Sequence, residues 1–536
     1  MKMHKEESKE QNIDLQNPAT CCSIDPKLVE IVIASKKMLK DGKTLPKSTT
    51  DELLDLESLN LILNRPIKTR AHTLMAANRE LASVVGERKA LVLLIDFSDE
   101  VATENKQHYE DMLFSSGTYA SGSLRDYYYE ASYNKLKVIG DVSGEGGVTV
   151  GWYRAPKPYS YYTNNDNGFG DYPQNAQKLV EDVVDLAAPH VNFADYDNDG
   201  DGIVDALFVV HAGPGAESTG SKSDIWSHAW SITPRTVDGV KVISYSMEPE
   251  NGNIGVFCHE LGHVFGLPDL YDYGYDSAGT GNWDLMAGGS WNNGGLTPAH
   301  PVGWCKVKLG WVTPVTIFGA QQNITLKPCE TNEQMYKLPI NDVNSKEYFL
   351  LENRKKTHFD SHLPGEGLII SHIDDNKSNN NDQTHYLVDI EQCDGKLDLN
   401  KYINRGDAGD PYPSTANTVF TSSTTPNSRD YSDKDSKVTV ENIKRSGDDI
   451  TATVKVNINI VLTKEWYYNK NVASTFAHCT TQWAWASIDT LGWRRIKDGS
   501  SDGVTNMFDA CCEAVANNRK VHVYADGDFI YTMYLL

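Results

Sequence analysis

Long apolar runs are missing from this chain of 536 residues. The longest obvious one, Ala90–Ile95, has six residues, far short of the ~20 that cross a bilayer, so no membrane span is predicted. The opening Met1-Lys2-Met3-His4-Lys5-Glu6-Glu7 has no apolar core, so no signal peptide is predicted either. Positive charge is scarce: 50 Lys and Arg stand against 73 Asp and Glu, a net charge of −23. Such a chain is repelled by phosphate, which excludes generic binding to nucleic acid or anionic membranes. None of the nine cysteines falls in a C-x2-C spacing. A cysteine zinc cluster is therefore excluded, and small buried thiols with at most a bridge or two are expected. No internal repeat is found.

What remains is ordinary globular composition, 40% apolar and 23% charged, enough to build a core. At ~150 residues per domain the length predicts three or four domains. Residues 1–86 are rich in Lys, Glu and Asp, with helical apolar spacing at Leu28-Val29-Ile31-Val32 and Leu53–Leu61. They are expected to form a helical N-terminal segment, a candidate pro-segment, without a β core. At Ala90–Phe97 the texture changes to a continuous apolar strand, with a second at Ala206–His211 and a helical stretch at Ala176–Ala188. This predicts an α/β domain over 87–315. Short strands punctuated by Asn, Asp, Pro and Gly give a β-rich region over 316–460 that continues the same module. The last stretch, 461–536, has Trp466, Trp483, Trp485 and Trp493, a helix-like Val504–Ala516 and a hairpin at Val521–Tyr534. It reads as a small β-rich module of unassigned role, its tryptophans expected in the core.

The chemistry concentrates in His259-Glu260-Leu-Gly-His263-Val-Phe-Gly266-Leu-Pro-Asp269. On a helix, His259 and His263 at i and i+4 share one face and can hold one metal. Phe257, Leu261 and Val264 form a stripe roughly opposite, suited to packing on a sheet. Glu260 lies beside the histidines, placed to take a proton from a water. Gly266 can end the helix in a left-handed turn, returning the chain so that Asp269, with Asp272 as alternative, can supply a third ligand. Three protein ligands and an open position are the catalytic zinc arrangement. The five fixed positions match by chance at about 10⁻⁷ per start.

This motif resembles that of the metzincin-like zinc peptidases, and specifically the immune inhibitor A family. Trp283-Asp284-Leu285-Met286-Ala287-Gly288 resembles the family's Met-turn, with Met286 beneath the metal. His211-Ala212-Gly213, Asp224–His228, Leu351–Arg354, Leu363–Leu368 and Gly406–Asp410 extend the likeness over roughly 89–445. Two positions depart from related peptidases: many metzincins have His where Asp269 stands, and Gly288 occupies a place where some relatives have a zinc-binding Tyr. The resemblance implies a metzincin-like α/β fold, a zinc endopeptidase acting on proteins or peptides with Glu260 as general base, secretion, and latency. Cys21 or Cys22 as a thiolate on the metal is a further, weaker expectation. Two other readings use the same residues. One is a zinc hydrolase of non-peptide amides or esters. The other is a calcium-stabilised binding or adhesion protein with an inactive site, against which the intact His259-Glu260-His263 set speaks.

A second metal motif is Asp197-Asn-Asp199-Gly-Asp201-Gly-Ile-Val-Asp205, a run of hard oxygen ligands with glycine at the turn, as calcium requires. An EF-hand register starting at Asp195 fails because its twelfth residue is Ala206. The predicted calcium is structural, bracing the strand that follows. His211, His228 and His300 are expected to be structural, and Glu352 with Arg354 a structural ion pair or surface pair.

Overall fold

A computed structural model describes residues 20–21, 24–47, 53–54, 56, 59–60, 83–147, 150–415, 417–458, 465–477, 484–489, 491–497, 501–525 and 529–536. The chain forms two compact units, 1–458 and 459–536.

In the first unit the apolar run becomes β2 (Gly86–Asp96), buried from Ala90 onward. Parallel strands flank it on both edges, and its unbroken run of buried residues shows that neither face meets water there. Two short strands, β1 (Thr20–Cys21) and β4 (Tyr153–Arg154), and four longer ones complete its sheet: β3 (Leu136–Ser143), β5 (Leu207–His211), β6 (His228–Val237) and β7 (Val240–Pro249). The order is β1-β6-β7-β5-β2-β3, with β4 also on β2. β5 and β7 run parallel to β2, while β6 is antiparallel to β7 and β1 antiparallel to β6.

Helices pack against this sheet. The N-terminal helix is α1 (Pro26–Lys40), whose first turn is capped by Asp25. α2 (Leu124–Ala131) starts in a reciprocal Ser123–Asp126 capping box. α3 (Ala176–Ala187) is capped by Asn175, and α4 (Ile254–Val264) carries the metal motif. The buried Tyr128 hydroxyl donates to the Cys258 carbonyl at 2.6 Å, tying α2 to α4.

The N-terminal segment differs from expectation in one respect. It contributes β1 to the catalytic sheet as well as a helix, because two residues on a sheet edge need only backbone pairing and leave no polarity pattern. Of the predicted Leu53–Leu61 helix, positions 55, 57, 58 and 61 lie outside the described residues; Leu54 and Leu59 are buried.

The chain continues without a break at 315 into β8 (Val315–Thr316), β9 (Gly319–Leu326), β10 (Tyr336–Pro339), β11 (Glu347–Arg354), β12 (Gly367–Asp374), β13 (Val388–Ile390), β14 (Val438–Ser446) and β15 (Asp449–Val456). They form a five-stranded sheet, β13-β12-β11-β10-β8, and a three-stranded sheet, β14-β15-β9. Arg354 on β11 reaches the Met-turn segment: it is fully buried, pairs with Asp360 at 2.8 Å and donates to the Trp283 carbonyl at 3.0 Å. The predicted Glu352–Arg354 pair is thus internal, at 3.8 Å.

The second unit is a closed barrel of β16 (Glu465–Ala477), β17 (Ala484–Ile488), β18 (Gly492–Ile496), β19 (Lys520–Ala525) and β20 (Phe529–Leu535). α5 (Ser501–Asn517) lies between its third and fourth strands. Its core is aliphatic, from Val472, Ala486, Ile488, Val521, Val523 and Ile530. The tryptophans are therefore not the core: Trp493 is 50% exposed, Trp466 and Trp485 are half-buried, and Trp483 lies outside the described residues. The interior of so small a barrel accommodates Val and Ala more readily than indole rings.

Cys258, Cys305, Cys329, Cys393, Cys511 and Cys512 are free thiols, all but Cys512 buried. Among the described residues no helix is long and apolar enough to cross a membrane.

Candidate metal centre

α4 buries both faces. Phe257 meets Phe208 of β5 at a ring separation of 5.9 Å, and the opposite face carries His259 and His263. Their Nε2 atoms lie 3.1 Å apart. The helix ends as its sequence predicts, with Gly266 at φ 93° and its N–H bonded to the His263 carbonyl at 2.8 Å. The chain then turns back and brings Asp269 Oδ1 to 3.1 Å from His259 Nε2 and 3.3 Å from His263 Nε2. Asp272 does not join them. Its carboxylate accepts the N–H groups of Gly274, Asp276 and Ser277, which orders the loop.

This geometry fits a metal on chemical grounds. His259 Nδ1 lies 2.9 Å from the Leu285 carbonyl and His263 Nδ1 2.8 Å from that of Leu267. A carbonyl only accepts, so each Nδ1 donates, and in the neutral ring each Nε2 presents a lone pair. Two imidazole lone pairs and a carboxylate oxygen thus converge in a buried place. Edges near 3.3 Å are about what bonds of ~2.0–2.1 Å to a tetrahedral zinc require. The Tyr273 hydroxyl donates to Asp269 Oδ2 at 2.8 Å and fixes its orientation.

Glu260 is fully buried, and neither carboxylate oxygen has a hydrogen-bond partner. Burial pushes it well above the usual carboxylate range, and Glu248, Asp269 and Glu217 add to the push. Glu248, at the end of β7, is likewise buried with both oxygens unpartnered. Beneath the helix, Met286 packs so closely that a Cβ on Gly262 would stand 2.6 Å from its sulfur.

Residues 79–311 match the family model described as immune inhibitor A peptidase M6, catalytic domain. Those residues are thus similar to the catalytic domain of that peptidase family. Over 287 residues the chain is 32% identical to the pre-pro-metalloprotease PrtV of Vibrio cholerae serotype O1, covering 42% of this chain and 30% of that relative. Over 272 residues it is 31% identical to immune inhibitor A of Bacillus thuringiensis subsp. alesti, covering 40% and 38%. The chain thus spans about a third of the length of these curated relatives.

Around the M6 domain's centre, the N-terminal segment lies on the loop that follows Asp269. Lys36 Nζ donates to the Gly274 carbonyl at 2.6 Å and to Asp276 at 2.7 Å. Ile24 and Val29 line one cleft with Tyr271, Asp272, Gly288 and Tyr402. Backbone pairing sets Cys21 opposite His228 on β6; Cys22 lies outside the described residues.

Farther off, Asp197, Asp199 and Asp205 bring carboxylate oxygens within 4.8 Å of one another. Asp201 stands outside that group, its carboxylate accepting the Ile203 N–H at 2.9 Å. Asn198 bonds both the N–H and the carbonyl of Lys89, at 2.7 and 3.1 Å, docking the loop on β2.

Of the lone histidines, His228 bonds the Trp226 carbonyl and the Tyr245 hydroxyl, and burial pulls it down to about 4. His300 sits between Glu130 and Lys306. His211 stacks on Tyr159 at 5.7 Å, its Nε2 without a partner. Tyr273 and Glu248 escape sequence reasoning: one acts from a loop without periodicity, the other closes a strand that reads as ordinary sheet.

Proposed function

We propose that the chain is a zinc-dependent endopeptidase that hydrolyses peptide bonds of protein substrates. The observation that carries this reading is the convergence of His259 Nε2, His263 Nε2 and Asp269 Oδ1 beside the unpartnered Glu260 carboxylate. His259, His263 and Asp269 would hold the metal. Bound zinc supplies Lewis-acid polarisation of the scissile carbonyl and acidifies a water toward ~7. Glu260 accepts the proton of the attacking water and later delivers it to the leaving amine. A buried carboxylate without competing hydrogen bonds suits both transfers. Leu285 and Leu267 hold the imidazoles through Nδ1, and Tyr273 holds Asp269. Likeness of the M6 domain to immune inhibitor A supports action outside the cell.

The test is metal analysis of the purified protein together with cleavage of denatured casein. Zinc at about one per chain and casein cleavage abolished by a zinc chelator are expected. Hydrolysis of small amides or esters with casein left intact would overturn the endopeptidase reading.

Two accessory roles accompany it. Calcium held by Asp197, Asp199 and Asp205 would brace the start of β5, a role supported by the convergence of three acidic groups on a loop docked to β2. Residues 1–86 would act as a latency segment, supported by β1 on the outer edge of the catalytic sheet and by α1 on the loop after Asp269.

A further inference from the structure

None of the residues in the proposed metal, proton-transfer and latency roles lies in 459–536, yet that unit carries an organised surface. Its closed order β16-β17-β18-β20-β19, with α5 after the third strand and the third and fifth strands parallel, is the topology of the OB-fold. That architecture holds oligosaccharides and oligonucleotides on its second and third strands. Fold alone assigns no ligand, and the surface in question lies elsewhere, on the first, fourth and fifth strands.

Residues of β16 alternate between the two sides of the wall. Tyr467 packs against the interior cluster with Met533 and Leu535, so Trp466 and Tyr468 stand outside. Trp466 is in register with Tyr524 on β19, and His522 with Tyr534 on β20. The Trp466 ring lies 5.3 Å from Tyr534 at 11°, 5.2 Å from Tyr524 at 34° and 6.4 Å from Tyr468 at 22°. Tyr534 and Tyr468 are thus stacked with one tryptophan, and Tyr524 is tilted against it. The register of β16 shifts just after Tyr467. There Asn469 takes φ 54° and its N–H bonds His522 Nδ1 at 3.2 Å. This bulge keeps Tyr468 in the group, edge-on to His522 at 4.9 Å. Tyr468 and Tyr534 each remain 59% exposed.

The barrel interior is already filled, so five outward rings are not needed for the core, and an exposed aromatic surface of this kind marks recognition. Its chemistry selects the occupant. None of the five residues is Lys, Arg, Asp or Glu, and residues 459–536 hold 7 Lys and Arg against 8 Asp and Glu, so no excess of positive charge draws a polyphosphate. Flat apolar ring faces edged by hydroxyl and imidazole groups match the C–H faces and hydroxyl rims of pyranose rings. We propose that the outer face of β16, β19 and β20 binds a neutral polysaccharide chain, its sugar rings stacking on Trp466, Tyr468 and Tyr534.

The test titrates the full chain with cellohexaose, xylohexaose, mannohexaose and chitohexaose, followed by calorimetry and tryptophan fluorescence. Binding of at least one sugar is expected, weakened at least about tenfold by Trp466→Ala. The doubly substituted Tyr468→Ser/Tyr534→Ser chain, altered only at exposed positions, should lose binding to the same degree. Casein cleavage and the melting temperature should stay at parental values in the tyrosine variant. No binding of any of the four sugars, or binding that survives the tyrosine variant, would overturn the proposal. So would tighter binding of poly(dT) than of any sugar, or a dimer in sedimentation that the same substitutions dissolve.

Discussion

Replacing Glu260 by glutamine changes the chemistry of one atom and little of its volume. The Glu260→Gln chain should keep its zinc but lose about 10²–10⁴-fold in casein cleavage, since an amide cannot take the water's proton. His263→Ala should lose zinc and activity together. Glu260→Gln protein cleaving casein at the parental rate would contradict the assignment whatever its metal content. Tyr273 acts on the metal through Asp269 Oδ2, so Tyr273→Phe should weaken zinc affinity by roughly tenfold. Chelator competition reads this directly, and unchanged affinity would show that Asp269 needs no such support. At this scale much was legible: helical spacing alone pairs His259 with His263, and the glycine turn returns Asp269. Tyr273 was not, because its contact arises from a loop whose path is dictated by Asp272 and by packing.

Two elements carry predictions that spacing alone would not suggest. The acidic loop is tied at one end to Lys89 of β2 and at the other runs into β5. Removing calcium with a calcium-selective chelator should lower the melting temperature and speed autolysis. Asp199→Ala should mimic that loss, and a silent result in both would rule the site out. The second element is β12. Burial pulls its His372 down, but Glu347 at 3.0 Å and Glu391 at 3.4 Å push it up to about 9. The protonated ring also stacks on Tyr431 at 4.1 Å. A folded value above the unfolded one of ~6.5 stabilises fully below ~6.5 and is lost as pH rises through about 9. The effect is on the order of 3 kcal/mol. Melting temperature should fall between pH 7 and 9.5, and His372→Gln should flatten that slope; an equal slope in both would exclude His372 as its source. The strands β2 and β5 and the helices α3, α4 and α5 were legible from periodicity. β1 was not, because its pairing depends on which edge the rest of the sheet leaves open.

For the whole molecule, the division at 458 was nearly legible, and the β-rich strands after 315 lie in the same unit as the residues before them. Buried Arg354 joins β11 to the Met-turn segment, and such long-range pairing has no local signature. The N-terminal segment likewise proved to be part of the first unit. A chain starting at Gly86 should cleave casein faster than the full chain, and equal rates would make residues 1–86 purely architectural. The contact of Lys36 with Gly274 and Asp276 has a further consequence. While residues 1–86 are covalently joined to β2, they meet that loop at the effective concentration of a tether, of order millimolar. A single cut between α1 and β2 turns an intramolecular encounter into a bimolecular one. Nicked protein should then stay quiet when concentrated and gain specific activity on dilution, so that activation is set by volume as much as by cleavage.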